Sequence, residues 1–384
     1  MKQLSVKCAI YRGGTSRGIF FKEEDLPTSR SQWNSIFMEA IDAYNPSQVD
    51  GLGGGTSHTS KIIVVSKASL IEEVCLSYTF YQIGIGNPIV DKEGTCGNLM
   101  AAVGAFAVDE GYVSVPKGKK SINLVVHNTN IGRNVRMEVP VTARGNAQVQ
   151  GDFLMPGLSR PGARISVSIL SPGGGKTGTT FPCDHTTELT TTRGVFTVTI
   201  ADIVNPFIFV RAAELGLNGT EMNFDLTAND ELMKLLEEIR LAGAVKAGLS
   251  STIEEARKVP SIPKIALVFP PTDYRTTSGD VIKANEVDVV SRMVSMGKIH
   301  RTFAGSGLYN LASALLLSGT VPSNLYTGTK KSGRQIVRIG HPDGVAEVHA
   351  SITNDGLDVA TVGLDRTARR IMSGQCYIHE GRIL

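Results

Sequence analysis

One cysteine of the chain stands where a thiol could do chemistry. Cys96 precedes Gly97, and residues 99–108 are apolar, with no charged side chain before Asp109. This pattern predicts a helix that is buried on every side and carries the thiol at its N-terminus. The unpaired N–H groups and partial positive charge at that end stabilise a thiolate, and they can equally hold a carboxylate ligand. A structural cysteine buried in a glycine-rich turn is the alternative interpretation.

Two other segments carry side chains suited to the same chemistry. Thr15 and Ser16 lie in a glycine-rich turn between two apolar strands near the N-terminus. A second polar, glycine-rich loop ends at Ser60 and Lys61, and the lysine opens the apolar strand 62–65. Because a dinucleotide-binding loop connects a strand to a helix, and this loop precedes a strand, we reject a dinucleotide site. Hydroxyls and an amine suit the binding of an anion and the transfer of a proton.

Composition restricts the classes of protein that the chain can be. It has 384 residues, of which 41% are apolar and 20% charged, as expected of a globular enzyme with two domains. A net charge of +3 without a long basic run argues against a nucleic-acid partner. We expect no membrane partner, because no apolar segment is long enough to span a membrane. The five cysteines are scattered and form no CxxC pair, so we expect no metal site and a cytoplasmic location.

The second half of the chain repeats the first in outline, with four segments recurring in the same order. The matched features are Ser16 with Asn205, helix 29–44 with helix 230–247, Lys61 with Lys264, and Cys96 with Ser306. Chance similarity between alternating strands and helices is the alternative. The repeat predicts an α/β fold of two similar domains, each a strongly curved sheet wrapped around one apolar helix. Both helix N-termini would then face a common cleft.

The segment 158–180 is rich in Pro, Gly, Ser and Thr and predicts a connection near the domain boundary. We place the first domain at 1–185 and the second at 186–374. The cationic side chains expected in or beside the cleft loops are Arg12, Arg17, Lys61, His300 and Arg301. Together with two helix N-termini, they would suit an anion that carries more than one carboxylate. The sequence has no motif of a metalloprotease, serine hydrolase, P-loop nucleotidase or calcium-binding loop.

Longer motifs in the chain resemble a known family. They lie at 11–21, 50–54, 59–61, 96–98, 127–130, 205–206, 300–305, 319–320, 340–344 and 366–372. These motifs resemble those of the 2-methylaconitate isomerase (PrpF) family, which includes methylitaconate delta-isomerases and oxalomesaconate tautomerases. Since they extend over essentially the whole chain, the chain is identified as a member.

The resemblance implies a fold similar to that of diaminopimelate epimerase. Each of two pseudo-symmetric α/β domains would hold a central helix inside a curved mixed β-sheet, and a C-terminal strand at 375–384 would return to the first domain. The resemblance also implies a cofactor-independent isomerase that shifts a proton in an unsaturated di- or tricarboxylate, such as 2-methylaconitate, methylitaconate or oxalomesaconate. The double bond would move along the chain or change between cis and trans.

The family motifs place the functional serine, lysine and cysteine at Ser16, Lys61 and Cys96. Residues expected to contact the substrate are Thr15, Ser60, Gly97, Asn98, Asn205, His300, Arg301, Ser306 and Gly307. Which of Lys61 and Cys96 removes the proton stays open. The sequence departs from the family at 57–58, which includes His58, and at 307–310, so the exact substrate stays open too.

Two other functions compete with this one. An amino-acid epimerase or racemase of the same fold uses a pair of cysteines, and Ser306 stands in the second position here. A non-catalytic accessory protein to a dehydratase would have no need to retain both Lys61 and Cys96. Whether the protein forms a homodimer is left open.

Overall fold

The computed structural model describes residues 3–68, 73–155, 157–295, 297–329, 333–379 and 381. The chain divides into unit 1, Met1–Ile169 with Leu364–Leu384, and unit 2, Leu170–Gly363. The boundary therefore lies at 169/170, whereas the sequence analysis places it at 185/186. Of the strand expected at 375–384, residues 375–379 belong to a longer strand in unit 1, and residues 380 and 382–384 lie outside the described residues.

Strands and helices alternate along the chain. The strands are β1 (Gln3–Gly13), β2 (Ser16–Lys22), β3 (Lys61–Lys67), β4 (Val74–Ile83), β5 (Val90–Asp91), β6 (Ser121–Asn128), β7 (Arg133–Pro140), β8 (Ile165–Leu170), β9 (Thr187–Thr191), β10 (Gly194–Ile203), β11 (Asn205–Arg211), β12 (Lys264–Phe269), β13 (Tyr274–Arg275), β14 (Val281–Ile282), β15 (Val289–Ser295), β16 (Lys298–Ile299), β17 (Gln335–His341), β18 (Gly344–Ile352), β19 (Val359–Arg366) and β20 (Ala368–His379). The α-helices are α1 (Trp33–Ile41), α2 (Gly97–Asp109), α3 (Asn223–Ala228), α4 (Asp230–Lys246), α5 (Ile253–Lys258) and α6 (Gly305–Leu316).

Unit 1 is built on a mixed sheet in the order β20-β1-β2-β3-β4-β6-β7-β8. The pairs β2–β3 and β4–β6 are parallel, and the other neighbours are antiparallel; β5 adds to β4 as an antiparallel hairpin. The long strand β20 runs antiparallel to β1 over its whole length, so the C-terminal segment completes this sheet.

Unit 2 repeats that topology strand by strand. Its sheet order is β9-β10-β11-β12-β15-β17-β18-β19, with β16 as the hairpin on β15. The parallel pairs β11–β12 and β15–β17 occupy the same places as in unit 1. Helices α2 and α6 also occupy equivalent places, each between the short hairpin strand and the second parallel strand. The predicted α/β fold of two similar domains is confirmed.

Helix α2 is the centre of unit 1. Residues 99–108 are all buried, and the helix packs against β1, β2, β4, β7 and β20. Helix α1 covers the opposite face of the sheet, where Ile36 and Phe37 are buried among apolar side chains of β1, β2 and β3. In unit 2, α6 is buried over residues 307–316 and packs against β10, β11, β17 and β18. A helix without a polar face must be covered on all sides, which the curved sheets achieve.

The turn between β1 and β2 approaches the first turn of α2 so closely that only glycine fits. A Cβ on Gly13 would lie 2.5 Å from the Asn98 carbonyl oxygen, and a Cβ on Gly18 would lie 2.9 Å from Leu99 Cδ1. Gly14 has φ +51°, a conformation that glycine adopts without strain. The glycines of the N-terminal motif therefore allow the β1–β2 hairpin to pack directly against the N-terminus of α2.

Two details of the sequence analysis need correction. The predicted helix at 29–44 is the shorter α1, preceded by a 3-10 turn at Arg30–Gln32. The segment 158–180 is not wholly a connection, because it contains β8, in which Ile165, Val167 and Ile169 are buried at alternate positions. The glycines and prolines around β8 obscured this short alternation in the sequence.

Within the described residues, no helix combines the length and the apolar character that crossing a membrane requires.

The fit of Gly13 against α2 makes a prediction about stability. Gly13→Ala should lower the free energy of unfolding of unit 1 by about 1–3 kcal/mol, because an added methyl group overpacks a site closed by backbone. Urea unfolding followed by fluorescence of Trp33, the single tryptophan of the chain, reports on unit 1. Gly94→Ala is the matched control, since a Cβ there has no neighbour within 4 Å. Equal midpoints for the two variants would contradict the packing described here.

Candidate active site in unit 1

Three segments of unit 1 carry polar side chains near the N-terminal end of α2. The β1–β2 turn carries Thr15 and Ser16, the start of β3 carries Lys61, and the residue before α2 is Cys96. Gly18 packs between two of these segments. A Cβ at this position would lie 2.9 Å from Leu99 Cδ1 of α2 and 3.1 Å from the Lys61 carbonyl oxygen. Ser16, Lys61 and Cys96 are the residues predicted from the sequence to take part in catalysis, and Thr15 is one of those predicted to contact the substrate.

Cys96 is the N-cap of α2. Its backbone is extended, at φ −115° and ψ 101°, and its carbonyl oxygen accepts the first helical hydrogen bond, from the Met100 N–H at 3.2 Å. The thiol is half-buried and donates to Ser16 Oγ at 3.8 Å. The first turn of the helix contains no acidic residue, so no carboxylate of that turn offsets the positive end of the helix dipole. The predicted position of the thiol at a helix N-terminus is confirmed.

Asn98 connects the helix to the hairpin. Its Nδ2 donates to Thr15 Oγ1 at 3.0 Å and to Ser16 Oγ at 3.4 Å. Its Oδ1 accepts a hydrogen bond from Arg366 Nε at 2.9 Å, which fixes the orientation of the amide. Ser16 Oγ thus accepts from both Asn98 and Cys96, and its own O–H can donate to a bound oxygen atom. Thr15 is exposed, whereas Ser16 is almost fully buried.

Lys61 is held in one position although it carries a flexible side chain. The residue is only 8% exposed, and its Nζ donates to Gln82 Oε1 at 2.7 Å. The ammonium group also lies 5.0 Å from the centroid of the Phe80 ring, within cation–π distance. Gln82 in turn donates from Nε2 to the Ser60 carbonyl oxygen at 2.8 Å, so its oxygen must face the lysine. A lysine restrained in this way suits proton transfer in a fixed direction.

The loop before Lys61 is organised by the buried side chain of Gln48. Its Oε1 accepts hydrogen bonds from the N–H groups of Gly54 and Gly55, both at 2.9 Å, and from Ser60 Oγ at 2.8 Å. Ser60 has no exposed surface, and its hydroxyl also contacts the Thr56 carbonyl oxygen at 2.7 Å. The structure thus gives the Ser60 hydroxyl a role inside the loop, and its contact with substrate stays a prediction.

The remaining candidates lie in unit 2 around the start of α6. Ser306 is the second residue of that helix and is half-buried. Asn205 begins β11, and its carbonyl oxygen accepts from Asn310 Nδ2 at 2.8 Å. Gly307 is buried, and a Cβ there would lie 2.7 Å from the rings of both Phe207 and Phe303. Packing therefore explains the small residue at 307.

His300 and Arg301 follow β16. The carbonyl oxygens of both accept from Asn223 Nδ2, at 3.2 and 3.3 Å, which fixes the backbone of this segment. His300 is half-buried and Arg301 is exposed. The roles expected for these unit 2 residues in substrate binding stay predictions.

Several residues that support the site lie far from it along the chain and were not predicted from the sequence. Gln82 faces Lys61 across the β3–β4 pair, and Arg366 reaches Asn98 from the C-terminal segment. Asn128 donates to Thr95 Oγ1 at 2.8 Å and thereby supports the residue before Cys96. Arg366 and Asn128 lie within motifs that were recognised in the sequence, but nothing in the sequence alone shows what they contact.

The other cysteines lie in surroundings that suppress their reactivity. Burial raises the pKa of Cys8 and of Cys75 to about 11, and that of Cys376 to about 12. Burial also raises the pKa of Cys183, whose thiol donates to the Lys246 carbonyl oxygen at 3.2 Å. At neutral pH these four thiols carry very little thiolate, the form that reacts with electrophiles.

Comparisons with known proteins match nearly the whole chain to one family. The family model described as PrpF protein matches residues 3–379. A 3-methylitaconate isomerase of Eubacterium barkeri is 36% identical over 385 residues, covering 100% of this chain and 99% of the relative. A 2-methyl-aconitate isomerase of Shewanella oneidensis is 33% identical and covers 97% of this chain and 96% of its own. The crystal structure of a methylitaconate-delta-isomerase matches with TM-score 0.91 at 35% identity, covering 100% of this chain and 98% of that one.

The contrast among the five thiols makes a prediction about labelling. Cys96 should react with iodoacetamide before Cys8, Cys75, Cys183 and Cys376, because only Cys96 combines a helix N-terminus with partial exposure. Brief labelling at pH 7 followed by peptide mapping measures the five rates in one sample. Asn98→Ala removes a support of the Cys96–Ser16 arrangement and should change the rate at Cys96 alone. Faster labelling of any other cysteine would contradict this description of the site.

Proposed function

Because the chain belongs to the PrpF protein family, we propose that it is an isomerase that shifts a proton within an unsaturated polycarboxylate. Movement of an allylic proton moves the C=C bond or allows rotation about it. The relatives named above act on 3-methylitaconate and 2-methylaconitate, and compounds of this class are the proposed substrates. Cytoplasmic location accords with five free cysteines, and formation of a homodimer stays a prediction.

The observation that carries the proposal is the position of Cys96 at the N-cap of a buried helix, 3.8 Å from Ser16 Oγ and at the same end of unit 1 as Lys61. A thiol and an amine are two groups that can each take or give a proton once held against a substrate. The helix N-terminus adds N–H groups that bind an anion. The proposal therefore combines acid–base groups with an anion site at this end of unit 1.

In the proposed reaction, a carboxylate of the substrate lies against the first turn of α2. The N–H groups of Gly97 and Asn98, together with the hydroxyls of Thr15 and Ser16, would hold its oxygens. Removal of a proton from the carbon next to a carboxylate leaves negative charge that spreads over a dienolate. Donors already fixed in direction stabilise this charge more than they stabilise the substrate, and that difference lowers the barrier.

Lys61 and Cys96 would between them remove the proton from one allylic carbon and return a proton to another. Neither the proton balance nor the electron balance of this reaction requires a redox cofactor. Ser306 in the second domain would bind substrate. A serine hydroxyl cannot serve as a second base without an activating partner, which argues against a two-thiol racemase. Asn205, His300, Arg301 and Gly307 are likewise proposed as substrate contacts.

Solvent exchange tests the proposed function directly. The full chain is incubated in deuterated buffer with 3-methylitaconate, 2-methylaconitate and oxalomesaconate in turn, and ¹H NMR follows both isomerisation and loss of allylic protons. We expect one of them to isomerise with incorporation of deuterium. A protein that exchanges no proton of any of the three would not have the proposed function.

The asymmetry between the units makes a prediction about the two matched lysines. Lys61→Ala should lower kcat by about 10²–10⁴-fold, the usual contribution of a positioned acid or base. Lys264→Ala should lower kcat far less, with its effect mainly on KM, because we place the proton-transfer groups in unit 1. Steady-state kinetics on both variants provides the measurement. Similar losses of kcat would show that the roles of the two units are misassigned.

A second pair of variants separates catalysis from binding. Cys96→Ser should lower kcat severely and leave substrate affinity nearly unchanged, because oxygen replaces sulfur without removing the helix N-terminus. Ser306→Ala should raise KM more than it lowers kcat, as expected when a contact made equally in ground and transition states is lost. If Ser306→Ala abolishes turnover at unchanged KM, then the serine takes part in proton transfer and the assignment of roles is wrong.

A further inference from the structure

Two histidines of unit 2 share an unusual arrangement. His300 Nδ1 accepts a hydrogen bond from the Thr302 N–H at 3.2 Å, and His341 Nδ1 accepts one from the Asp343 N–H at 3.3 Å. A ring nitrogen that accepts carries no proton, so each neutral imidazole must carry its proton on Nε2. Both rings therefore present an Nε2–H donor.

Their surroundings keep both rings neutral. Burial lowers the pKa of His341 to about 4, with smaller contributions from the charges of Arg292 and His300. Burial and the nearby Lys264 lower the pKa of His300 as well. Asp343 acts in the opposite direction on both rings, and its carboxylate accepts a hydrogen bond from the Thr277 hydroxyl. Strand pairing brings these groups together, because β15 pairs with β12, which begins at Lys264, with β16, which precedes His300, and with β17, which ends at His341.

The backbone that carries His341 is rigidly supported. Tyr274 donates from its hydroxyl to the carbonyl oxygens of His341 at 3.0 Å and of Gly344 at 2.7 Å, on both sides of the β17–β18 turn. The guanidinium of Arg292 stacks on the Tyr274 ring at 4.9 Å and is 2% exposed. Burial lowers the pKa of Arg292, and the Tyr274 hydroxyl and the Glu221 carboxylate act in the opposite direction. The buried guanidinium of Arg292 therefore supports the β17–β18 turn through its contact with Tyr274.

The cluster also adjoins the start of α6. The His300 N–H donates to the Met293 carbonyl oxygen at 2.8 Å, and the Ala304 N–H donates to Met293 Sδ at 3.2 Å, just before the helix begins. Lys264 Nζ lies 5.9 Å from the centroid of the Phe207 ring, which packs against Gly307 of α6. Burial lowers the pKa of Lys264. The lysine, the histidines and the helix N-terminus thus belong to one local region of unit 2.

We infer that unit 2 contains a carboxylate-binding subsite in which the Nε2–H groups of His300 and His341 donate to the carboxylate oxygens and Lys264 supplies positive charge. The inference deepens the proposed function and rests on it for the class of ligand. Arg292 adds positive charge behind the β17–β18 turn, and Asp343 and Glu221 carry negative charge in the same region, so the two N–H donors and Lys264, rather than an excess of positive charge, would bind the anion. A neutral imidazole also holds an oxygen without giving up its proton to a nearby carbanion, whereas an imidazolium would be an acid. The motif at 340–344 thereby acquires a function that the sequence analysis did not assign.

Matched substitutions at each histidine test the subsite. Glutamine keeps an N–H donor close to the position of Nε2, and leucine removes it. Affinity of the full chain for methylsuccinate, a saturated dicarboxylate that cannot isomerise, is measured by calorimetry. His300→Leu and His341→Leu should each weaken binding by about tenfold, the loss expected for a hydrogen bond to a charged group, and the glutamine variants should remain within about threefold of the unchanged protein. His185→Leu, outside the cluster, is the control and should bind normally.

A spectroscopic readout keeps the test independent of folding and of turnover. In ¹H–¹⁵N spectra at pH 7, both histidines should show the neutral Nε2–H form, and both Nε2–H signals should shift when methylsuccinate is added. Normal affinity in both leucine variants, a charged ring or an Nδ1–H form at pH 7, or no binding of methylsuccinate by the unchanged protein would overturn the subsite. A protein that binds methylsuccinate through these histidines yet exchanges no proton of the three unsaturated acids would retain the subsite and lose the proposed function.

Discussion

A central helix that is buried on every side imposes the organisation of each unit. In α2 only the ends carry polar groups, and the first-turn N–H groups have no partner within the helix. In unit 1 the curved sheet covers α2 along its length, and the β1–β2 turn closes against its N-terminus through Gly13 and Gly14. The same contact that buries the helix brings Ser16 to within 3.8 Å of the Cys96 thiol. The burial of α2 and the geometry of the candidate site therefore both follow from the packing of the β1–β2 turn against the helix.

The two units use the same topology for different chemistry. In unit 1 the tight turn uses Gly14 at φ +51°, whereas in unit 2 the equivalent turn uses Val204 at φ +68°, which is strained for a β-branched residue. Asn310 bridges this turn from α6 by donating to the carbonyl oxygens of Ala201 and Asn205, both at 2.8 Å. Asn98 in α2 instead donates hydrogen bonds from its side-chain amide to the hydroxyls of Thr15 and Ser16 in the hairpin. One helix thus arranges side chains that suit catalysis, and the other stabilises a backbone.

The sequence predicts the features that depend on short-range patterns. The apolar run behind Cys96 is sufficient to predict α2, because a helix of that composition must be buried, and the ordered repeats predict two units of similar fold. Partners distant in sequence could not be predicted. The pairing of Gln82 with Lys61 depends on the register of β3 and β4, and the contact of Arg366 with Asn98 depends on a C-terminal segment that returns to unit 1. The division at 169/170 falls within β8, a short strand among turn-forming residues, and differs from the division at 185/186 expected from the sequence.

The central claim is that Lys61 and Cys96 act as one catalytic unit on the same substrate. A double-mutant cycle tests it most directly, with kcat/KM measured for Lys61→Ala, Cys96→Ser and the double variant. Groups that depend on each other lose their contribution together, so the double variant should be no slower than the slower single variant, within about threefold. If the two losses instead multiply, the residues act independently, and the account of a single proton-transfer unit at the mouth of α2 is contradicted.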